Sequence, residues 1–144
     1  MKTQNYANHK LFYYPHHFIF YPVALALVVT CIIQYNQADH NLQYLLFALA
    51  FGLLIWLSFM MRQHYALTLQ NRIIRMELRL RYYQLTGSRL ETLESRLTFP
   101  QLAALRFASD EELIGLIEQT LKENLSANTI KKSIKNWQGD YMRV

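Results

Sequence analysis

The sequence predicts an all-α protein, in which a two-helix transmembrane hairpin continues into a small cytoplasmic helical domain. Of the 144 residues, 52% are hydrophobic, and formal charges are missing from residues 11–38 and again from residues 40–61. No glycine or proline interrupts the chain between Gly52 and Gly87, so the second apolar helix is free to continue past a bilayer. We divide the chain into an N-terminal segment (1–17), the hairpin (18–61), and a stalk helix with a helical domain (62–144).

The two apolar stretches have the length of membrane spans. As helices at ~1.5 Å per residue, residues 18–35 measure roughly 27 Å and residues 42–61 roughly 30 Å, close to the ~30 Å hydrocarbon core of a bilayer. The alternative of two buried core helices is disfavoured, because so short a chain cannot cover helices that are apolar all round. A cleaved signal peptide also fits poorly, because Pro22 lies inside the first stretch and no small-residue cleavage site follows Tyr35.

Positive charges predict the orientation of the hairpin. The connecting loop at residues 36–41 contains neither Lys nor Arg, whereas Lys2 and Lys10 precede the first span and several arginines follow the second. Because flanking segments rich in Lys and Arg remain in the cytoplasm, we expect both termini to be cytoplasmic. The arginines that follow the second span are Arg62, Arg72, Arg75, Arg79 and Arg81.

Aromatic residues mark both ends of the predicted spans, where rings with a polar tip favour the lipid headgroup region. Pro15 and Pro22 indicate a kinked interfacial segment at residues 12–22. Small residues spaced four apart favour close helix contact in lipid, either within the hairpin or with another membrane subunit; these pairs are Ala26 with Thr30 and Ala48 with Gly52. The predicted interface residues are Tyr13, Tyr14, Tyr21, Tyr35 and Tyr44.

The stalk is predicted to be helical to about Thr86, with one apolar face and one basic face. Apolar residues recur at three- or four-residue steps, and we expect the rest of the domain to cover them. Arg72, Arg75 and Arg79 lie on the other side, where they are predicted to pair with the acidic helices of the chain itself or with a partner protein. The apolar residues are Ala66, Leu69, Ile73, Met76, Leu80 and Tyr83.

Capping-box spacings predict the helices of the domain. Ser88, Thr98 and Ser109 each precede Glu or Gln by three residues, which predicts helices near 89–97, 99–107 and 110–124. A last helix is predicted to begin at Ser126 and to carry Ile130, Ile134 and Trp137 on one face, which we assign to the cytoplasmic core. The alternative is a basic amphipathic helix on the membrane surface, because Lys131, Lys132 and Lys135 flank this face.

Several segments resemble a known family when they are taken together. They are Gln4-Asn5-Tyr6-Ala7-Asn8-His9, the following aromatic-Pro-His-His stretch, ALRFASDEEL at residues 104–113, and IKKSIKNW at residues 130–137 with Asp140. With the two-span hairpin, they are similar to an uncharacterised family of small bacterial membrane proteins, a domain of unknown function. The resemblance implies a setting in the bacterial cytoplasmic (inner) membrane, and it supplies no active-site residues.

Three histidines are the candidates for cofactor chemistry. His16, His17 and His64 lie near the predicted cytoplasmic interface, and imidazoles from neighbouring helices can ligate haem or bind a quinone headgroup. We favour hydrated interfacial histidines, because no ligand spacing recurs. The single Cys31 excludes an intramolecular disulfide and a Cys-cluster zinc site. We expect no catalytic residue, no metal and no cofactor, because the sequence has no HExxH motif and no recognisable Ser/His/Asp set.

These observations predict a non-enzymatic accessory or assembly subunit of a larger bacterial membrane complex. Its partners are then membrane lipid and other membrane protein subunits. Two alternatives remain: a redox accessory that holds haem or quinone near the cytoplasmic interface, and a membrane tether that recruits a cytoplasmic partner. Nucleic acid is not expected as a partner, because the net charge of +5 comes with no recognised nucleic-acid-binding fold. The oligomeric state is open.

Overall fold

The computed structural model describes residues 4–9 and 13–141, and within these ranges the secondary structure is helical, with one isolated antiparallel bridge between Ala108 and Trp137. The all-α prediction is confirmed. Lys2 and Lys10, which contributed to the predicted orientation, lie outside the described residues. The helices are α1 (Tyr21–Gln37), α2 (Leu42–Met60), α3 (Leu67–Thr86), α4 (Glu91–Glu94), α5 (Phe99–Leu105), α6 (Asp110–Glu123) and α7 (Ala127–Ser133), with π-helical turns at Pro15–Phe20 and Met61–Ala66.

The described residues form two compact units, a hairpin unit of residues 13–68 and a domain unit of residues 4–9 with 69–141. This division differs from the predicted one, because residues 4–9 belong with the domain and not with a separate segment at 1–17. Two helical stretches, Pro15–Gln37 and Leu42–Thr86, are long and apolar enough to cross a membrane by length and composition. The second stretch is continuous through α2, the π-helical turn and α3, as the absence of Gly and Pro predicts.

In the hairpin unit, the chain reverses through a tight polar turn. Asp39 and His40 adopt positive φ angles of 47° and 59°, a conformation that short polar side chains tolerate better than branched ones. The Asn41 side chain then accepts a hydrogen bond from the backbone N–H of Gln43 at 3.0 Å, which caps α2. The predicted loop therefore reverses the chain by local backbone chemistry.

Small residues mark the contact between α1 and α2. Ala24 and Ala48 are the buried residues of these two helices, and Gly52 is half-buried. Ala26 and Thr30 are exposed, and the Thr30 hydroxyl donates to the Ala26 carbonyl at 2.8 Å. The predicted pair Ala48–Gly52 therefore lies on the inward side of α2, whereas the pair Ala26–Thr30 faces away from the hairpin contact.

The domain unit packs a hydrophobic core against one side of α3. Helix α3 ends at Thr86, and the next residue, Gly87, has a φ of 67°, the left-handed conformation common just past a helix end. Helices α5, α6 and α7 supply most of the remaining core. The buried core residues are Leu78, Leu90, Leu97, Leu102, Ala104, Leu105, Ala108, Leu113, Leu116, Ile117 and Ile130.

The prediction of which face of α3 is covered was wrong. The buried residues of α3 are Ile74 and Leu78, whereas the predicted apolar face remains exposed. The reason is that α3 has two apolar lines on opposite sides, and arginines flank the shorter one. These arginines bond carboxylates and carbonyls of the domain, so the polar contacts select the Ile74–Leu78 side. The exposed residues are Leu69, Ile73, Met76, Leu80 and Tyr83, here called the apolar stripe.

Helices α5, α6 and α7 begin directly after the predicted capping residues Thr98, Ser109 and Ser126, whereas α4 begins after Leu90 and not after Ser88. Helix α5 has a capping box, in which the Gln101 side-chain oxygen accepts from the Thr98 backbone N–H at 2.7 Å. The Gln101 side-chain N–H donates to the Leu125 carbonyl at 2.8 Å, which ties the start of α5 to the segment after α6. The predicted helix at 89–97 is reduced to the single turn of α4.

The last predicted helix ends too early to carry all three of its apolar residues. Helix α7 stops at Ser133, and Ile134 is extended with ψ 121°. The backbone beyond it is held in non-helical hydrogen bonds, because Glu112 accepts from the N–H groups of Lys135 and Asn136 and the Phe107 carbonyl accepts from Gln138 N–H at 2.7 Å. Residues after Ser133 therefore leave the helix before Trp137.

The three residues assigned to the cytoplasmic core have different positions. Ile130 is fully buried in the core, and Ile134 is partly buried against it. Trp137 is half-buried and lies in the bridge with Ala108. The assignment of Trp137 to the core is therefore corrected: its ring lies at the edge of the domain.

Candidate functional sites

The first candidate site is a histidine–arginine corner in the hairpin unit. The His17 Nδ1 lies 3.1 Å from the Tyr13 carbonyl, and its Nε2 lies 2.7 Å from Arg62 Nη1. A guanidinium only donates, so Nε2 is the acceptor and Nδ1 carries the proton that Tyr13 accepts. Both ring nitrogens of His17 are therefore engaged in hydrogen bonds.

His16 lies among aromatic rings at the same corner. Its ring stacks with Phe20 at a centroid distance of 5.9 Å and meets Tyr21 edge-on at 4.7 Å. The rings of His16 and His17 lie 5.3 Å apart. The His16 Nε2 is buried and has no hydrogen-bond partner among the described residues. A ligand that reached this corner would find this nitrogen unengaged.

The structure does not assemble the predicted histidine trio. His64 is exposed in the Met61–Ala66 turn, and no described hydrogen bond or ring contact joins it to His16 or His17. The third member of the corner is Arg62, which the sequence analysis used only for orientation. A signal was present, because Arg62 is the first charge after the second span and a hairpin brings that position level with the start of the first.

The five predicted interface tyrosines fall into two groups. Tyr13 and Tyr14 are exposed and Tyr21 is half-buried, all near the start of α1. Tyr35 and Tyr44 are half-buried at the opposite end of the hairpin, and the Tyr35 ring contacts His40 at 5.0 Å. The hairpin therefore has aromatic residues at both ends, the distribution that a membrane-spanning element shows.

The second candidate site is an arginine–glutamate cluster in the domain unit. Glu94 is buried, with 8% of its side chain exposed, and its carboxylate accepts from Arg75 and from Arg79, the latter at 2.6 Å. Arg79 also lies 3.8 Å from Glu91. Hydrogen bonds from Arg79 and then Arg75 hold the pKa of the Glu94 carboxyl below its ordinary value, against burial, which by itself raises it.

The three arginines that were predicted to lie on one side of α3 therefore have different surroundings. Arg75 and Arg79 pair inside the domain, while Arg72 is exposed and forms no ion pair with any described residue. Arg81 has a structural role that the sequence did not predict. Its Nε donates to Asp110 at 2.5 Å, and its other nitrogens donate to the carbonyls of Arg106 and Ala108. No local spacing shows this contact, because Asp110 is 29 residues away in the sequence.

The third candidate site is a clasp between residues 4–9 and the C-terminal part of the domain. Gln4 and His9 are buried. The Gln4 side-chain oxygen accepts from Asp140 N–H at 2.7 Å, and the Gln4 backbone N–H donates to the Tyr141 hydroxyl at 3.3 Å. The Tyr6 hydroxyl donates to Asn128 at 2.7 Å. The N-terminal segment is therefore an integral part of the domain.

Aromatic rings surround His9 inside this clasp. Its ring lies 6.0 Å from Phe107 and 5.9 Å from Trp137, and Trp137 stacks on Phe107 at 4.7 Å. The His9 Nε2 accepts from Lys131 Nζ at 3.1 Å, because an ammonium only donates, and Nδ1 donates to the Tyr6 carbonyl at 2.7 Å. Trp137 thus forms a platform for the N-terminal segment.

Three of the segments that carried the family resemblance meet in this clasp, whereas the aromatic-Pro-His-His stretch belongs to the hairpin unit. Residues 4–9, the Arg106–Phe107 pair, Lys131, Trp137 and Asp140 are in mutual contact through hydrogen bonds, rings and the Arg106–Asp140 ion pair at 3.1 Å. As a set these segments resembled a known family, and the structure shows that they share a structural role. Segments that are distant in the sequence and carry no catalytic signature therefore share this role, because together they form one packed contact.

Comparison with known families gives one match. The model of the family of unknown function DUF6526 matches residues 1–144. The chain belongs to this family. The predicted resemblance to an uncharacterised family is thereby confirmed, and the DUF6526 match covers both the hairpin unit and the domain unit. No curated protein and no solved structure matches the chain.

The described part of this DUF6526 chain holds no group of three or more His, Cys, Asp or Glu side chains that is arranged to bind a metal ion. Cys31 is a free, half-buried thiol in α1. The groups that the structure does bring together are the histidine–arginine corner, the arginine–glutamate cluster and the clasp.

Proposed function

We propose that this DUF6526 chain is a non-enzymatic accessory or assembly subunit of a larger membrane protein complex, embedded in the bacterial cytoplasmic (inner) membrane with both termini in the cytoplasm. The observation that carries the proposal is the outward exposure of the hairpin's apolar side chains. Away from the side on which they contact each other, α1 and α2 expose their apolar side chains. The exposed residues include Val23, Leu25, Ile32, Ile33, Leu46, Phe47, Leu49, Leu53, Leu54, Trp56 and Leu57.

Lipid is the solvent that accepts such a surface. Exposed apolar area costs about 25 cal/mol per Å² in water, and soluble monomers rarely carry contiguous apolar patches beyond a few hundred Å². The hairpin buries little except Ala24 and Ala48, so it has no soluble core of its own. The loop without Lys or Arg and the arginines after α2 support the cytoplasmic placement of the domain.

The domain supports the subunit role. Its Glu94 cluster, the Arg81 contacts and the clasp are polar or aromatic contacts that hold short helices in one arrangement. Opposite its core, α3 presents the apolar stripe. A small domain that holds its helices in one arrangement and exposes an apolar helix face, in a chain with a membrane hairpin, is better suited to bind another protein than to hold a substrate.

Topology reporters and native complexes test this proposal. Fusions after Ala38 and at the C-terminus of the full chain are expected to report the periplasmic and the cytoplasmic side, respectively. In mild detergent, the tagged chain is expected to migrate with other membrane proteins in a fixed ratio. A cytoplasmic signal at Ala38, or release of the chain from membranes by alkaline carbonate, would overturn the membrane placement. A fixed ratio to a cytoplasmic protein alone would favour the tether alternative.

One observation favours the redox alternative, the unengaged Nε2 of His16. Against it, the Tyr13 carbonyl and Arg62 already engage the two ring nitrogens of His17, so His17 cannot serve as a second ligand beside His16 without losing one of these bonds. The full chain purified from its own membranes provides the test. A Soret band that disappears in His16→Gln and persists in His64→Gln would establish haem binding at the corner, and a spectrum without the band excludes haem.

A further inference from the structure

We propose that the apolar stripe is a dimer interface, at which α3 of one chain pairs with α3 of a second copy as a short parallel coiled coil. The proposal rests on the proposed function in one respect, because membrane insertion gives two copies the same orientation. It goes beyond that function by naming a partner and a register for the exposed face.

The stripe has the spacing of a coiled-coil seam. Leu69, Ile73, Met76, Leu80 and Tyr83 follow steps of four, three, four and three residues, which is the a/d alternation of a heptad. With Ile73 and Leu80 at a positions, Leu69, Met76 and Tyr83 occupy d positions. A repeat of 3.5 residues keeps one face of a helix on a partner helix throughout.

The stripe lies opposite the domain's own core. At roughly 100° per residue, Ile74 and Leu78 lie about 140–180° around the helix from Leu69. The exposed fraction of the stripe is 53% at Ile73, 67% at Met76 and 59% at Leu80. A second helix therefore has access to the stripe without displacing the contacts that hold the domain.

The flanking charges select a second copy in parallel orientation. In this register Arg72 is a g position and Glu77 an e position, and parallel dimers pair g with the e position five residues further along the partner. Arg72 of one copy therefore faces Glu77 of the other, twice by symmetry. Both residues are exposed, and neither has an ion pair with a described residue. An antiparallel pair instead aligns g with g and brings Arg72 of one copy toward Arg79 of the other, which places like charges together.

The length of the seam explains why the membrane matters. Residues 69–83 measure only about 21 Å as a helix, two heptads, which is short for a coiled coil in dilute solution. Confinement of both copies to one bilayer in one orientation raises their effective concentration. The test therefore uses the full chain in native bacterial membranes.

Cysteine cross-linking reads the register directly. In a Cys31→Ser background, Ile73→Cys, Met76→Cys and Leu80→Cys are each expected to cross-link to the same residue of the second copy with a short bis-maleimide. Leu85→Cys is the matched control, since Leu85 is exposed but lies about 160° from Leu69 around α3. It is expected to cross-link several-fold less.

The charge pair gives an independent readout. Arg72→Glu alone and Glu77→Arg alone place like charges face to face, so each is expected to lower cross-linking at Ile73→Cys several-fold. The double variant restores opposite charges and is expected to recover it. Because both residues are exposed, these changes leave the domain core intact.

Each remaining result contradicts the dimer in a different way. Correct topology without cross-linking at the stripe overturns the dimer and leaves the proposed function standing. Cross-linking at Met76→Cys alone overturns the parallel register, because an antiparallel pair superimposes only its midpoint. Cross-links from the stripe exclusively to a different protein overturn the choice of a second copy. Failure to insert in the membrane overturns the proposed function and the dimer together.

Discussion

The hairpin unit and the domain unit expose apolar side chains in different patterns. In the hairpin, apolar side chains are exposed over most of the surface of α1 and α2, and the buried residues of these helices are Ala24 and Ala48. In the domain, a buried core and a set of polar contacts coexist with a single exposed apolar stripe along α3. Apolar exposure over most of a helix is the pattern expected in lipid, whereas exposure along one line is the pattern expected at a contact between two helices.

Removing one large side chain from each unit gives the largest expected contrast. Ile117 is 1% exposed in the domain core and Leu53 is 62% exposed on α2. Ile117→Ala is expected to destabilise the domain by about 2–5 kcal/mol, while Leu53→Ala changes its stability by less than about 0.5 kcal/mol. Denaturant titration of the full chain in nanodiscs, followed by Trp137 fluorescence in a Trp56→Phe background, measures both. Equal losses of unfolding free energy in the two variants would contradict the distinction between a domain with a buried core and a hairpin with exposed apolar side chains.

The Glu94 cluster predicts the acid sensitivity of the domain. Because the pKa of Glu94 is lowered in the folded state, its contribution is complete above the ordinary carboxyl pKa and is lost as pH falls through the lowered value. Glu94→Gln is expected to lower the free energy of unfolding by about 1–3 kcal/mol at neutral pH. Breaking a fully buried ion pair costs more, but the side chains of Arg75 and Arg79 are over a third exposed.

The same variant should remove part of the loss of stability between neutral pH and about pH 3. Glu91→Gln is the control, because Glu91 is about half exposed and lies 3.8 Å from Arg79. The unfolding midpoint as a function of pH measures the difference. An acid transition identical in Glu94→Gln and in the unaltered chain would contradict the assignment.

Trp137 is expected to stabilise the clasp more than the core. Trp137→Ala removes the stacking on Phe107 and the contact with His9, at an expected cost of about 1–2 kcal/mol. Hydrogen exchange should rise in residues 4–9, with a smaller change in α6. Trp137→Phe retains a stacking ring and is expected to preserve most of the protection. If hydrogen exchange in Trp137→Ala rose more in α6 than in residues 4–9, Trp137 would stabilise the core more than the clasp.

Arg72 gives the smallest expected effect on stability. Arg72→Gln should change the unfolding free energy of the domain by less than about 0.5 kcal/mol, as is usual for surface substitutions. Arg75→Gln is the comparison, since Arg75 donates to buried Glu94. A loss of stability in Arg72→Gln as large as that in Arg75→Gln would mean that Arg72 has a bond within the domain.

The sequence predicted features that depend on neighbours in the chain. The capping box of Thr98 and Gln101, the polar turn at residues 36–41 and the continuous helix Leu42–Thr86 follow from spacing and from the positions of Gly and Pro. The features that it missed depend on contacts between distant residues. Arg81 selects the covered face of α3 through Asp110, Gln138 draws the chain out of α7 through Phe107, and Gln4 bonds Asp140.

The histidine–arginine corner lies between these cases. The hairpin and the charge of Arg62 were both predicted, but nothing in the sequence favoured His17 over His16 as the residue that Arg62 bonds. That choice depends on helix rotation, which the uniformly apolar surfaces of α1 and α2 leave undetermined. The sides of α3 differ in polarity, so contacts with the rest of the domain can select one of them. The sides of α1 and α2 are alike in polarity, so the sequence does not indicate which side makes a contact.

The two tryptophans allow the most direct test of the difference between the units, because Trp56 is 63% exposed on α2 and Trp137 lies in the clasp. In bilayers with brominated acyl chains, Trp137→Phe leaves Trp56 as the only tryptophan, and we predict strong quenching of its fluorescence. Trp56→Phe leaves Trp137, which we predict to be unquenched. Quenching of Trp137, or unquenched fluorescence from Trp56, would contradict a lipid-embedded hairpin with its domain outside the bilayer.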